Sequence, residues 1–342
     1  MNQKINIVID IDIPFIKGIL EPYCNVNYYK GVDFSNENIK EADALIIRTR
    51  TKCNRELLEG SKVKFIATAT IGLDHIDLEY TSQNGIAVVN AAGCNSGGVM
   101  QYVFTALYSV AEKKNISLKD KTLGVIGVGN VGSKVVKLGE KLGFKVLKND
   151  PPKALLNPTG DYVDLDTLLT NSDIVTLHTP LDSTTENLAS DEFFKKIKDG
   201  SIFINSSRGE VVDERALIAN RDRLGALIID VWRGEPNINI NLLNISDIAT
   251  YHIAGYSKQG KINATVFSVR SLARFFGIEE LIDFKIETNC EFLDFSNKSQ
   301  AEILVLLNNF YEIYRDDLNL RSNPQNFENY GSKYNYRDEF TF

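Results

Sequence analysis

The stretch Val125-Ile-Gly-Val-Gly-Asn-Val-Gly132 decides the fold of this chain. The run that leads into it, Thr122-Leu-Gly-Val-Ile126, is short, apolar and rich in branched side chains, and reads as a buried parallel strand. Beyond it, Val131, Val135, Val136 and Leu138 recur at helical spacing, so a helix begins at the glycines. Gly127 permits the tight turn, Gly129 lets a pyrophosphate approach the backbone, and Gly132 lets the helix pack close to the strand. Asn130 and Val131 open the helix, where free amide N–H groups and the helix dipole face an anion. The next strand, Phe144-Lys-Val-Leu-Lys-Asn149, delivers Asp150, 18 positions after Gly132. That is close to the spacing of about 20 expected for a ribose-binding carboxylate. An acid there repels the extra phosphate of NADP, so NAD is the expected cofactor. Asp150 also suits a turn before Pro151-Pro152, and the two readings are compatible. A glycine pattern alone is weak evidence; the strand before, the helix after and the acid at the next strand end make this one specific.

Working outward, further short apolar strands are expected at Ile174–Leu177, Ser201–Asn205, Ala226–Ile229 and Asp247–Ala249. They end in His178-Thr-Pro180, Asn205-Ser-Ser-Arg-Gly209, Asp230-Val-Trp-Arg-Gly-Glu-Pro236 and His252-Ile-Ala-Gly-Tyr256. In an open parallel sheet ligands bind beyond the carboxyl ends of the strands, so these clusters point into one cleft. A helix from Asn95 or Ser96 to about Ala111 precedes the sheet, which sets the dinucleotide domain at 95–255. Residues 1–94 alternate strands (Ile5–Ile9, Ala44–Ile47, Phe65–Ala69, Ile86–Asn90) with polar helical stretches, a second α/β unit. A helix after Tyr256, apolar at Ile262, Val266, Val269 and Leu272, is expected to return to that unit, giving a domain of 1–94 and 256–275. Residues 280–342 differ: Ile303–Tyr314 reads as an amphipathic helix and the end is rich in Asn, Tyr and Asp, as in a small appended domain or an oligomer-forming arm.

The 342 residues suffice for two or three domains. The formal net charge of −7 argues against nucleic acid or an anionic membrane as the main partner, so an anionic substrate must be held by a local cationic cluster. The N-terminal residues Met1–Asp10 lack a signal-peptide core and read as a first strand. No apolar run reaches the roughly 18 residues of a membrane helix. Four scattered cysteines without a CxxC pair read as reduced thiols of a cytoplasmic protein, and three histidines that do not cluster give no reason to expect a metal. The cations stand out at Arg48-Thr-Arg-Thr-Lys52. If that segment stays extended, Arg48, Arg50 and Lys52 share one face and Thr49 and Thr51 the other. A phosphate or carboxylate site and a solvated strand end are both open readings. Thr70 sits where its strand turns over, a place from which a hydroxyl can meet a ligand; His75 reads as a loop or core histidine.

Strand ends carrying Arg, Glu and His beside an NAD site suit hydride transfer at an alcohol carbon. Oxidising a 2-hydroxy acid needs a cation on the carboxylate, a base for the hydroxyl proton, and a group that orients the base. Arg208 fits the first need with its planar fork, against a reading as a capping or surface arginine. His252 fits the second, since an ordinary pKa near 6.5 suits a proton shuttle. Glu235 fits the third, against a reading as an exposed turn acid before Pro236. His178 competes as a base but is better placed to line the cofactor, and Asp230 suits the nicotinamide carboxamide. No G-x-S-x-G elbow favours a hydrolase.

With those pieces assembled, Gly127–Gly132, His178-Thr-Pro-Leu181, Asn205–Gly209, Asp230–Pro236 and His252–Tyr256, the chain resembles the D-isomer-specific 2-hydroxyacid dehydrogenases across about residues 40–275. A narrower likeness, to members that take a phosphorylated 2-hydroxy acid, is carried by Ala67-Thr-Ala-Thr70 with Gly72-Leu-Asp-His75, by Asp150-Pro-Pro-Lys153, and by the tail segments Tyr311–Asp317, Leu320-Arg321, Phe327–Tyr330 and Tyr336–Phe340. The resemblance implies two Rossmann-like doubly wound domains, the first a substrate-binding lid, plus a small C-terminal α+β dimerisation domain and a homodimer. It implies that Arg208 and Glu235 are active-site residues and that His252 is the proton donor and acceptor. Thr49, which stands where relatives carry serine, Thr70 and Tyr256 are implied on the substrate. Asp150, Thr179, Ser206, Ser207, Arg208, Asp230 and Gly255 are implied on NAD. A phosphate then needs an anchor, for which Arg48 is the first choice and Arg50 the next, with a partner's Arg321 a weaker one. The rival expectations are another D-2-hydroxy acid, such as 3-phosphoglycerate, and a non-catalytic NAD-sensing interaction protein of the same fold.

Overall fold

The computed structural model describes residues 4–342, so Met1, Asn2 and Gln3 of the expected first strand lie outside the described residues. The chain divides into two compact units, 1–95 with 258–289 and 96–257 with 290–342. Among the described residues no helix is long and apolar enough to cross a membrane.

The first unit is a five-stranded parallel sheet in the order β2-β1-β3-β4-β5, with β1 Asn6–Asp10, β2 Asn25–Tyr29, β3 Ala44–Ile47, β4 Phe65–Thr68 and β5 Ala87–Asn90. Strands β3 and β4 are buried throughout, as their unbroken apolar runs require for a sheet covered on both faces. One face packs Ile7, Ile9, Ile46 and Phe65 against Val269 and Leu272 of the helix Lys258–Phe276; the other packs Val8, Leu45, Ile47 and Ile66 against Leu57 and Leu58. Edge strand β2, Asn-Val-Asn-Tyr-Tyr, escaped the sequence reading because its side chains are exposed or half-buried and it lacks an apolar run.

The second unit holds six parallel strands in the order β11-β10-β9-β8-β6-β7: β6 Thr122–Ile126, β7 Lys145–Asn149, β8 Ile174–Leu177, β9 Ile202–Asn205, β10 Ala226–Ile229 and β11 Ile248–Ala249. A parallel bridge between Lys148 and Tyr162 continues the sheet beyond β7. The strand order reverses between β6 and β8, which is where a doubly wound sheet opens a crevice for a ligand. Register aligns the carboxyl edge: Ile126 pairs with Asn149 and Leu177, Leu177 with Asn205, Asn205 with Ile229, and Ile229 with Ala249. The residues that follow each strand therefore emerge side by side.

The C-terminal segment differs from the expected appended domain. Leu293, Phe295, Ile303, Leu307, Tyr311, Ile313, Leu320 and Phe340 are buried in the same apolar core as Tyr102, Leu107 and Leu123 of the dinucleotide unit. The single helix expected over Ile303–Tyr314 is two, Gln300–Asn308 and Ile313–Ser322. Between them Tyr311 turns into the core, its ring 6.2 Å from that of Tyr102, and the chain leaves the helical path to bury it. The strand content of this segment is one parallel pair, β12 Glu291–Phe292 with β13 Phe340–Thr341.

Candidate active site

The glycine turn is built at the switch point of the second unit. Gly127 adopts φ +84°, and a Cβ there would stand 2.7 Å from the His178 carbonyl. A Cβ on Gly132 would collide with the Gly127 carbonyl oxygen, whereas one on Gly129 would meet no atom within 4 Å. Tight turn, close packing and open approach are thus separated among the three glycines. The helix Asn130–Lys141 starts directly after Gly129. Asp150 Oδ2 accepts the Val128 N–H at 2.8 Å and Oδ1 accepts the Lys153 N–H at 3.1 Å, so this carboxylate braces the glycine loop while capping the helix Pro151–Leu156. Along the same edge, the Thr179 and Ser206 hydroxyls are buried without a protein hydrogen-bond partner. A glycine cradle at a helix N-terminus and two buried hydroxyls facing no protein acceptor fit a dinucleotide.

His178 Nε2 lies 3.0 Å from the Thr176 hydroxyl, and burial pushes its imidazole down to about 3. A lowered imidazole pKa suits the expected lining role better than that of a proton shuttle. Ser207 hydrogen-bonds Asn205 Oδ1 through both its N–H (3.0 Å) and its hydroxyl (2.9 Å), and Asn205 Nδ2 donates to the Arg208 carbonyl at 2.9 Å, so Asn205 shapes the loop that carries Arg208. Gly209 presses on the Trp232–Arg233 backbone, where any side chain would collide, and this brings the Arg208 loop against the Asp230–Pro236 loop.

Glu235 folds back on its own loop: Oε1 accepts the Trp232 N–H at 2.8 Å, and Oε2 lies 2.7 Å from His252 Nδ1. Burial pulls the His252 imidazole down, but the Glu235 carboxylate, through charge and hydrogen bond, and Asp230 outweigh both burial and the opposing Arg208 charge, and the net shift is upward. Arg208, Glu235 and His252 are therefore one electrostatic group. Asp230 is fully buried; Oδ1 accepts from the Thr250 hydroxyl (2.6 Å) and the Ile253 N–H (2.9 Å), and Oδ2 from the Ala254 N–H (2.9 Å). Burial raises its carboxyl against these bonds and the nearby His252. Expected on the cofactor, Asp230 has both oxygens engaged by the turn that leads through Gly255. Tyr256 ends that turn, with its ring 5.7 Å from Tyr334 and 6.2 Å from Tyr336.

In the first unit, the cationic segment does not stay extended. The chain turns after Ile47, with the Thr51 N–H donating to the Arg48 carbonyl at 3.1 Å, so the alternating-face reading of Arg48, Arg50 and Lys52 gives way to a turn. Thr51 is buried and donates to the Gly31 carbonyl, while Thr49 and Arg50 are exposed. Arg48 Nη1 donates to the Asp12 carbonyl at 3.1 Å. Thr70 Oγ1 lies 2.7 Å from Thr68 Oγ1, which lies 3.2 Å from His75 Nε2; burial lowers that imidazole. Sequence reasoning missed Lys261. It sits on the helix Lys258–Phe276 beside the apolar stripe, and burial, then the Arg48 charge, push its ammonium down to about 8. Its only sequence signal is a cation between the buried Gly260 and Ile262.

The model of the D-isomer specific 2-hydroxyacid dehydrogenase, NAD binding domain matches residues 102–254. Erythronate-4-phosphate dehydrogenases of Bacteroides fragilis and Bacteroides thetaiotaomicron are 41% and 43% identical to this chain, each alignment covering 97% of both sequences. Among solved structures, the NAD-bound 3-phosphoglycerate dehydrogenase of Entamoeba histolytica is similar at TM-score 0.68 and 29% identity, over 84% of this chain and 99% of that one. The D-lactate dehydrogenase of Aquifex aeolicus with NAD and lactic acid is similar at TM-score 0.63 and 27% identity, over 81% and 97%. The chain belongs to the D-isomer-specific 2-hydroxyacid dehydrogenases, in the family of the erythronate-4-phosphate dehydrogenases.

Proposed function

We propose that this chain oxidises 4-phospho-D-erythronate to 2-oxo-3-hydroxy-4-phosphobutanoate with NAD, a step toward pyridoxal 5'-phosphate. The observation that carries the reading is the 2.7 Å Glu235–His252 pair, within the field of Arg208, on the strand edge that bears the glycine cradle. With Nδ1 committed to Glu235, His252 Nε2 is the atom that takes the C2 hydroxyl proton. The Arg208 fork holds the C1 carboxylate through charge-assisted hydrogen bonds, which fixes C2 in place. The chemistry that NAD supplies when bound is acceptance of the hydride from C2. Glu235 stabilises the imidazolium until the proton passes to solvent. Gly127, Gly129, Asn130, Val131, Gly132, Asp150, His178, Thr179, Ser206, Ser207 and Gly255 serve the cofactor, and Asp230 orders the turn beside it. Thr49, Thr70 and Tyr256 serve the substrate. Arg48 takes the 4-phosphate, a role supported by a second cation, the half-buried Lys261, within reach of its charge.

The test is NADH formation against a panel of phosphorylated and plain D-2-hydroxy acids. The expected result is the highest kcat/KM for 4-phosphoerythronate; preference for 3-phosphoglycerate or a plain acid overturns the substrate assignment. We further propose a cytoplasmic homodimer assembled through the C-terminal segment. Phe292, Val305 and Leu318 support this: all three are exposed on a segment whose other large apolar residues are mostly buried. Sedimentation of Val305→Asp and Leu318→Asp variants is expected to give monomer, and an unchanged mass overturns the interface.

A further inference from the structure

We propose that Arg337 is a positioning residue: together with Asp230 it grips the turn that carries His252 and holds the imidazole on Glu235. The inference rests on His252 being the acid–base group.

The backbone supplies the reason a grip is needed. His252 has φ +59°, a left-handed conformation uncommon for any residue but glycine. Such a conformation persists where the surrounding structure over-determines it. Three successive donors of the turn are met by Asp230: its carbonyl accepts the His252 N–H at 2.8 Å, and its carboxylate accepts those of Ile253 and Ala254 at 2.9 Å each. On the other side the acceptors are met by Arg337. Its Nη1 donates to the Ile253 carbonyl at 3.1 Å and its Nη2 to the Ala254 carbonyl. Nη2 also reaches the Gly98 carbonyl (3.2 Å), and Nη1 the Tyr334 hydroxyl (3.2 Å). A carboxylate and a guanidinium, both buried, thus hold the N–H and C=O groups of the same two residues, Ile253 and Ala254. The planar guanidinium, lying 4.3 Å over the Tyr311 ring, presents the fork that two successive carbonyls require.

The rest of the C-terminal segment fixes the approach and exit of the same turn. Asp317 Oδ1 accepts the Ala249 N–H at 2.7 Å, Asp316 Oδ1 the Tyr251 hydroxyl at 2.8 Å, and Glu339 Oε1 the Ser257 hydroxyl at 2.5 Å. Tyr334 links Arg337 to Asp316, donating to Asp316 Oδ2 at 3.1 Å. A segment that served only to bury apolar surface has no need of charged side chains bonded to Ala249, Tyr251, Ile253, Ala254 and Ser257. A displacement of about 1 Å at a catalytic group costs on the order of a hundredfold in rate, so a relaxed turn is expressed in turnover.

The experiment compares Arg337→Lys with Phe295→Ala in steady-state kinetics and thermal melts, using whichever D-2-hydroxy acid reduces NAD best with the unaltered protein. A lysine is a point donor that cannot span the carbonyls. Arg337→Lys is expected to lower kcat at least tenfold, with KM for NAD and for the hydroxy acid within about twofold. Phe295→Ala, which removes core packing away from the turn, is expected to lower Tm at least as much with kcat unchanged. A kcat within twofold of the unaltered protein for Arg337→Lys, or an equal loss in Phe295→Ala, overturns the proposal. Should Arg337→Lys fail to melt cooperatively, Tyr334→Phe, which deletes only the hydroxyl between Arg337 and Asp316, carries the test. A severalfold fall in kcat is then expected, and no fall overturns it. An unaltered protein whose turnover survives His252→Ala instead refutes the acid–base assignment, a result separate from either outcome for Arg337.

Discussion

The two parallel sheets make opposite use of the same structural opportunity. Each reverses its strand order once, between β1 and β3 in the first unit and between β6 and β8 in the second. At that point the second unit places Gly127, Gly129 and Gly132, of which Gly129 faces open space at the start of a helix. The first unit places Asp10, whose Oδ1 accepts the Asp12 N–H at 2.9 Å, and near it Arg48, just past the end of β3. The Asp10 carboxylate satisfies its own loop, and Arg48 reaches the Asp12 carbonyl at 3.1 Å. The adjoining strand ends diverge likewise. In the second unit Glu235, His252 and Asp230 are tied to one another; in the first Thr49 and Arg50 stand exposed. One fold type yields side chains bonded to one another at one edge and exposed polar and cationic side chains at the other.

That contrast can be broken in four ways, from the largest expected effect down. His252→Ala is expected to lower kcat by about 10²–10⁴-fold, as loss of a general acid–base does, with NADH affinity retained. Retained turnover would show that the second edge is not the chemical one. Arg48→Ala is expected to raise KM for the phosphorylated acid by about tenfold or more, through loss of a charge-assisted contact, and to leave an unphosphorylated analogue unaffected. Equal effects on both substrates would remove the charge-reading role from the first edge.

Glu235→Gln is expected to lower kcat by about tenfold and to move the acid limb of the oxidation profile to lower pH. The direction follows from the charges around the imidazole: burial and Arg208 lower its pKa, whereas Glu235 and Asp230 raise it, with a net upward shift. Removing the Glu235 carboxylate lets the pKa fall, and the neutral base needed for oxidation then persists at lower pH. A limb that stays in place or moves up in pKa contradicts the coupling. The smallest effect sharpens the glycine comparison. Gly129→Ala, facing open space, is expected to raise the NADH Kd severalfold with Tm nearly unchanged, whereas Gly132→Ala, which meets the Gly127 carbonyl, is expected to destabilise by about 1–3 kcal/mol, as overpacking does. Calorimetric binding and thermal melts of the two variants separate ligand approach from packing.

Much of this was readable because it is local. Buried parallel strands tend to be continuous apolar runs, and ten of the eleven strands in the two sheets overlap stretches read as strands from the sequence. The exception marks the limit: β2 is polar because it lies at an edge. The Gly127–Gly132 turn, Asp150 and the histidine-bearing turn were legible for the same reason, since each is specified within a few positions of a strand end. The turn at Arg48–Thr51 was not, because an alternating Arg-Thr pattern fits an extended segment equally well and only the buried Thr51 bond to Gly31 selects the turn.

What the sequence determined by itself, then, is most of the strands with their parallel direction, the dinucleotide cradle and the three residues expected at the chemical edge. These follow from periodicity and short motifs, which act over one or two turns of chain. Only the tertiary structure decided that burial lowers the His178 imidazole pKa, that Asp230 is committed to the turn, that Lys261 feels Arg48, and that the last fifty residues join the dinucleotide unit and set Arg337 on the carbonyls of Ile253 and Ala254. Burial, and hydrogen bonds such as that from Arg337 to Ile253, 84 positions away, leave no periodic trace, because they are fixed by which surfaces exclude water together and not by what lies next along the chain.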